Sequence, residues 1–194
     1  MRKVHRDITS EQIAWCITQH EDTNHFYDEY LPYEFHLRMV EQVHQNFANL
    51  LGKNIFVDSF AGRITDTTQL VITLACWGHD LIEDTRSSYN DVKSNLGEQA
   101  AEIIYACTNE KGKNRAERGN DKYYEGIRNT TGAVFVKLCD RIANVQYSKM
   151  TKSRMFEMYK RENDEFLLKM GFNGLDSHGL WDMFAYLNSL FYDT

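Results

Sequence analysis

Residues 70–78 are almost all apolar, and His79, Asp80, Glu83 and Asp84 follow immediately. A helix that is hydrophobic on every side must be buried. Its last turn here carries an imidazole and three carboxylates, and a buried charge without a partner is heavily penalised. The chain therefore has to fold so that compensating groups meet this end of the segment. That requirement constrains the architecture more than any other feature.

The rest of the sequence favours helices. One Pro and 11 Gly in 194 residues leave few interruptions, and 42% hydrophobic with 13% aromatic content can build one sizeable core. A charged fraction of 26% is ordinary for a globular chain. The net charge of −6 argues against a general nucleic-acid or membrane-surface binder, although a local basic patch can still hold a small anion. Cys16, Cys76, Cys107 and Cys139 lie singly among apolar neighbours, which reads as reduced buried thiols. The first residues contain no apolar signal region. The run 70–78 is far shorter than the roughly 20 residues of a membrane span, so a cytoplasmic protein is expected.

Periodicity predicts an all-α, single-domain bundle. Thr9 and Gln12 have capping-box spacing for a helix through Gln19. Pro32 suits a first helical position, and His36, Met39, Val40, Val43 and Phe47 then form one stripe. Asp66 or Thr67 is expected to cap the apolar helix. Two helices meet at Gly97, and residues 108–120 read as a polar, basic loop. Further helices are expected at about 121–128, 133–149, 153–170 and 178–191, with residues 54–59 as a weak strand candidate. In the last helix, the stripe Trp181, Phe184, Leu187, Leu190 and Phe191 predicts core packing, with an oligomer contact as the alternative.

The helix beginning near Ala133 locates the compensating groups. Its apolar side chains cover an arc of about 200°, and Lys137, Asp140, Arg141 and Asn144 share the narrow remainder. Such a strip on a mostly buried helix faces either a cleft or one wet edge. His36 lies on the apolar face of its own helix. Together, His36, His79, Asp80 and Asp140 suit one divalent transition metal, Mn²⁺, Fe²⁺ or Zn²⁺, whose charge would offset the carboxylates and which would activate water. On a continuous helix, His79–Glu83 and Asp80–Asp84 are both i, i+4 pairs. Glu83 and Asp84 would then sit one turn from the metal, placed for acid–base work rather than mere solvation of the helix end.

Three segments carry a family resemblance. Pro32-Tyr33-Glu34-Phe35-His36, His79-Asp80-Leu81-Ile82-Glu83-Asp84-Thr85 and Lys137-Leu138-Cys139-Asp140-Arg141-Ile142-Ala143-Asn144 resemble the core motifs of the (p)ppGpp hydrolase domain of RelA/SpoT proteins. This domain belongs to the HD phosphohydrolase superfamily. The similarity spans roughly residues 20–150, including Leu96 to Thr108 and the charged loop after it. Residues 151–194 are read as a helical extension packing on the core. The resemblance implies an HD-type bundle holding one ion, commonly Mn²⁺, through His36, His79, Asp80 and Asp140. It implies hydrolysis of the 3′-diphosphate of (p)ppGpp to pyrophosphate and GDP or GTP, with Glu83 and Asp84 catalytic. Tyr33, Lys111, Arg115, Arg118, Arg141 and Asn144 would contact the substrate, Asn144 at the nucleoside. No synthetase domain of the family's kind is expected within these 194 residues.

One departure concerns the base. The family's basic pair before the Pro-Tyr has no counterpart, since residues 24–31 contain neither Arg nor Lys. His25, Phe26 and Tyr27 offer rings for stacking in its place. An HD enzyme acting on another nucleotide, such as a deoxynucleotide or a 2′- or 3′-phosphorylated cofactor, is the alternative reading, and a non-catalytic nucleotide sensor is a third. The substrate is expected to be a small nucleotide, with no nucleic-acid or membrane partner and a homo-oligomer open. The gap between His36 and His79 is longer than in the family, and the extra stretch near residues 52–67 would form a flap or a surface excursion.

Overall fold

The computed structural model describes residues 8–51, 66–172 and 179–192. The helices in chain order are α1 (Ile8–Glu21), α2 (Glu34–Phe47), α3 (Asp66–Gly78), α4 (Leu81–Asp84), α5 (Tyr89–Leu96), α6 (Glu98–Cys107), α7 (Arg115–Arg118), α8 (Asp121–Asn129), α9 (Ala133–Met150), α10 (Arg154–Lys169) and α11 (Trp181–Ser189). The architecture is the expected all-α bundle. None of the described helices is long and apolar enough to cross a membrane. The strand candidate at residues 54–59 lies outside the described residues, as does most of the stretch 52–67.

Helix α9 is the axis of the bundle. It packs against α2, α3, α6, α8, α10 and α11. The wide apolar arc read from the sequence explains this, because Val134, Phe135, Val136, Leu138, Ile142 and Val145 are all buried. Fully burying Phe135 alone is worth roughly 1.5–3 kcal/mol relative to exposure. Helix α2 turns Leu37, Val40 and Val43 inward, and His36 is carried into the core beside them. All four cysteines are free and buried. Of the C-terminal stripe, Phe184, Leu187 and Phe191 are buried, whereas Trp181 is half exposed.

Several local details differ from the sequence reading. Helix α1 already starts at Ile8, so Thr9 lies inside it. Gln12 uses its amide to donate to the Asn95 carbonyl at 2.9 Å instead of closing a capping box. Asp66 is likewise the first residue of α3, not a flanking cap. Pro32 precedes its helix rather than opening it. It belongs to a two-residue antiparallel pair, β1 (Phe26–Tyr27) with β2 (Leu31–Pro32), and Tyr33 is the N-cap of α2. The Tyr147 hydroxyl donates to Asp28 at 2.9 Å and ties this small hairpin to α9. The basic loop contains the single turn α7, capped where the Asn114 side chain accepts from the Glu117 N–H at 2.9 Å. The last helix begins at Trp181 rather than near 178.

The most consequential difference is at the motif itself. Residues 66–84 are not one helix. Helix α3 ends at Gly78, Asp80 has φ −105° and ψ 3°, and α4 restarts at Leu81. The Nδ1 of His79 contacts the Cys76 carbonyl at 2.8 Å, the acceptor that a continuing helix would offer to Asp80. The turn lets His79 and Asp80 point at one place, which their i, i+1 spacing on a helix would not allow.

Gly78 lets the end of α3 pack closely against α5 and α6. A Cβ there would lie 2.6 Å from Ile104 Cδ1 and 2.9 Å from Leu96 Cδ1, both buried. Gly78→Ala is therefore expected to destabilise the fold by about 1–3 kcal/mol through overpacking. Urea denaturation checks this, as a lower midpoint at unchanged m.

Candidate metal centre and substrate cavity

Four side chains from three elements converge. His36 comes from the buried face of α2, His79 and Asp80 from the turn after α3, and Asp140 from the polar strip of α9. His79 Nε2 lies 2.9 Å from Asp80 Oδ2 and 3.7 Å from Asp140 Oδ1. His36 Nε2 lies 3.3 Å from His79 Nε2, 3.3 Å from Asp140 Oδ1 and 3.9 Å from Asp80 Oδ2. His36, His79 and Asp80 offer ligand atoms that are all within 4.8 Å of one another.

The hydrogen bonding shows that this set fits a cation. Neutral His79 keeps its proton on Nδ1 to donate to Cys76. The lone pair on Nε2 then faces two carboxylates, which is repulsive unless a proton or a metal ion lies between. Donor atoms 2.9–3.9 Å apart are spanned by an ion making bonds of about 2.0–2.2 Å. Without the ion, the proton takes that place. Burial opposes charging His79, but the Asp80 and Asp140 carboxylates hold its pKa well above the ordinary imidazole value. Burial likewise opposes ionising Asp80 and Asp140. Asp80 is nevertheless held low by His79 and then Lys137, and Asp140 by Lys137 and then the two imidazoles.

A layer behind these four fixes their orientation. Lys137 Nζ lies 2.9 Å from Asp140 Oδ2, leaving Oδ1 for the centre. The Asn144 amide donates to Asp140 Oδ1 at 2.5 Å and to its carbonyl at 3.1 Å, while its own Oδ1 accepts from the Tyr27 hydroxyl at 2.9 Å. Asn144 is thus committed to orienting Asp140. The Tyr33 hydroxyl donates to Asp80 Oδ2, and its buried ring packs against both His20 and His25 at centroid distances of 4.3 and 4.0 Å. Tyr33 therefore supports Asp80 rather than offering a free surface.

Glu83 and Asp84 part company in α4. Asn109 clamps Glu83, with Nδ2 donating to Oε1 at 2.7 Å and the backbone N–H to Oε2 at 3.3 Å. Asp84 lies 3.9 Å from His25 Nε2. Burial, and then the charges of Asp80 and Glu83, push its pKa up to about 7.

Beside Asp140 opens a cavity of about 370 Å³. Its walls include Asn109, Arg115, Arg118, Lys137, Asp140, Arg141, Asn144, Tyr159, Glu162 and Lys169. The polar strip of α9 thus faces this cavity. Of the expected substrate contacts, Arg115, Arg118, Arg141 and Asn144 line it, whereas Tyr33 and Lys111 do not. The rings suggested for base stacking are mostly occupied. His25 is stacked on Tyr33 and Tyr27 on His36 at 4.7 Å, leaving Phe26, which is 51% exposed. Sequence reading missed Asn109, whose signal was only one polar residue in a polar loop. It also missed Tyr159 and Glu162, which sit on the unassigned α10.

No protein-family profile matches the chain. Among curated proteins, the mouse guanosine-3′,5′-bis(diphosphate) 3′-pyrophosphohydrolase MESH1 is 28% identical over 79 residues, 41% of this chain and 44% of its own length. Its zebrafish (Danio rerio) counterpart is 30% identical over 88 residues, covering 45% of this chain and 47% of the relative. The chain thus aligns with less than half the length of each of these relatives. A solved structure described as "A metazoan ortholog of SpoT hydrolyzes ppGpp and plays a role in starvation responses" superposes with a TM-score of 0.62 at 19% identity, over 92% of this chain and 94% of that one. The fold is that of a metazoan SpoT ortholog. At 92% coverage of this chain, the superposition extends past residue 150.

Proposed function

We propose that the chain is a metal-dependent pyrophosphohydrolase that removes the 3′-diphosphate of (p)ppGpp and releases pyrophosphate with GDP or GTP. The observation that carries the reading is the convergence of His36, His79, Asp80 and Asp140 on one point at the rim of a cation-lined cavity. The names of the curated relatives support the choice of substrate. In this reading the whole chain acts as one domain, α10 included, on a small nucleotide.

His36, His79, Asp80 and Asp140 would hold a divalent ion such as Mn²⁺, which would supply Lewis-acid activation of water. The protein's own groups do the rest. Glu83, fixed by Asn109, takes a proton from the attacking water. Asp84, its neighbour on α4 and beside His25, delivers one to the leaving oxygen. Lys137 and Arg141 face the cavity and offset phosphate charge. A second reading keeps this chemistry for another phosphorylated nucleotide, because residues 24–31 contain no Arg or Lys and the rings there are largely engaged with the centre.

Product analysis decides between them. Metal-stripped protein is incubated with ppGpp, pppGpp, NADPH, deoxynucleotides and 3′-phosphoadenosine compounds, with and without Mn²⁺. Pyrophosphate and GDP are expected from ppGpp only with metal. Cleavage confined to another compound would assign the site to that substrate. Stoichiometric metal without any cleavage would favour a sensor.

A further inference from the structure

The cavity contains an acid where a polyanion has to bind. Its wall carries five cationic side chains, Arg115, Arg118, Lys137, Arg141 and Lys169, against three acidic ones, Asp140, Glu162 and Glu165. Asp140 and Glu165 each have a local reason to be there. Asp140 belongs to the metal centre, and Glu165 pairs with Lys169 at 2.7 Å one turn along α10. Glu162 is different. It joins two arginines from separate elements, accepting from Arg115 Nε at 3.0 Å and Nη2 at 3.2 Å, and from Arg141 Nη1 at 3.4 Å. Arg141 is held in place anyway, its guanidinium 4.2 Å from the Phe166 ring centroid and 4.8 Å from that of Tyr159. A partly exposed ion pair of this kind contributes little stability. What the carboxylate does is fill, with one negative charge and two oxygens, the fork geometry that guanidinium groups offer to phosphate.

We propose that Glu162 is a built-in stand-in for a substrate phosphate, a specificity residue that holds Arg115 and Arg141 in a phosphate-binding arrangement and must be displaced by the phosphate arm remote from the one cleaved. The idea rests on the reading of the cavity as the nucleotide's seat. A monoanionic carboxylate yields to a diphosphate or triphosphate arm, which carries more charge, and resists a neutral or singly charged one. Glu162 thereby lowers affinity for every anion but lowers it least for polyphosphates. The class selected is a nucleotide bearing at least a diphosphate away from the scissile bond.

The test avoids turnover, so it stands apart from the hydrolysis assay. GDP and ADP carry a 5′-diphosphate and nothing at the 3′ position. Their binding to metal-free wild type, Glu162→Gln and Glu162→Ala is measured by titration calorimetry, with thermal melts to verify folding. Both variants are expected to bind GDP and ADP about three- to tenfold tighter than the wild type, equally for the two bases. The fold gain should be larger still for GMP and AMP, so the wild type's preference for diphosphate over monophosphate shrinks in both variants. Equal or weaker nucleotide binding in the variants would overturn the proposal and leave Glu162 as a brace for the arginines. A change confined to GDP would also overturn it and assign the carboxylate to the base. Failure of ppGpp cleavage with intact tightening would remove the hydrolase reading instead.

Discussion

Glu83→Gln is expected to lower kcat by about 10²–10⁴-fold while leaving metal stoichiometry unchanged. The substitution is nearly isosteric, and the side chain is anchored by Asn109 rather than by a metal ligand. A glutamine oxygen can still accept from Asn109 Nδ2, now 2.7 Å from Oε1. Its amide nitrogen would face the Asn109 backbone N–H, now 3.3 Å from Oε2, as donor against donor. The fold loses one contact worth roughly 1 kcal/mol, too little to explain a large fall in rate. Glu83 also contributes to the raised pKa of Asp84, after burial and Asp80. Removing its charge should move Asp84 down from about 7 in the metal-free protein, which a carboxyl ¹³C titration would detect. Metal analysis and single-turnover rates check the main claim. Wild-type turnover in the variant would take the proton-transfer role away from Glu83, and loss of metal would make it a structural support of the centre.

The sequence made the scaffold legible wherever burial dictated periodicity. Helix α9 is the clearest case, because its apolar arc and narrow polar strip correspond to a helix packed on six neighbours with one face on a cavity. Boundaries were less legible where side chains override the pattern. His79 takes the Cys76 carbonyl, so a run that reads as one helix is two. Pro32 fits a first helical turn, yet the hairpin tied to Tyr147 claims it for β2. In the site, the four converging side chains could be named from residue type and spacing. Their supporting layer could not be, since Tyr33, Tyr27 and Asn144 resemble substrate contacts until their partners are known. The contribution of α10 was invisible for another reason. Tyr159 and Glu162 lie on an ordinary amphipathic helix, and only tertiary packing brings them opposite Arg115 and Arg141.

Asp80→Ala is expected to abolish hydrolysis and weaken metal binding by more than the roughly 10–100-fold typical of losing an outer-shell partner. Asp80 places Oδ2 2.9 Å from His79 Nε2 and accepts the Tyr33 hydroxyl, so truncation removes a ligand and strands a buried phenol. The proton inventory changes with it. In the metal-free protein, His79 has a folded pKa above its unfolded value, so its contribution to stability is complete below the ordinary imidazole pKa. It is lost as pH rises through the raised value. Asp80 works oppositely. Its depressed pKa contributes stability above the usual carboxylate range, lost as pH falls through the folded value. An entering metal must displace the His79 proton, so its apparent affinity should rise with pH and each ion bound should release protons. In Asp80→Ala one of the carboxylates that raises His79 is gone. The imidazole should be neutral at lower pH, and proton release on metal addition should shrink along with the affinity. Calorimetry in buffers of different ionisation enthalpy measures both quantities together. Full proton release and wild-type affinity in Asp80→Ala would place the ion somewhere other than between His36, His79 and Asp140. Residual activity independent of added metal would remove the ion from the reaction.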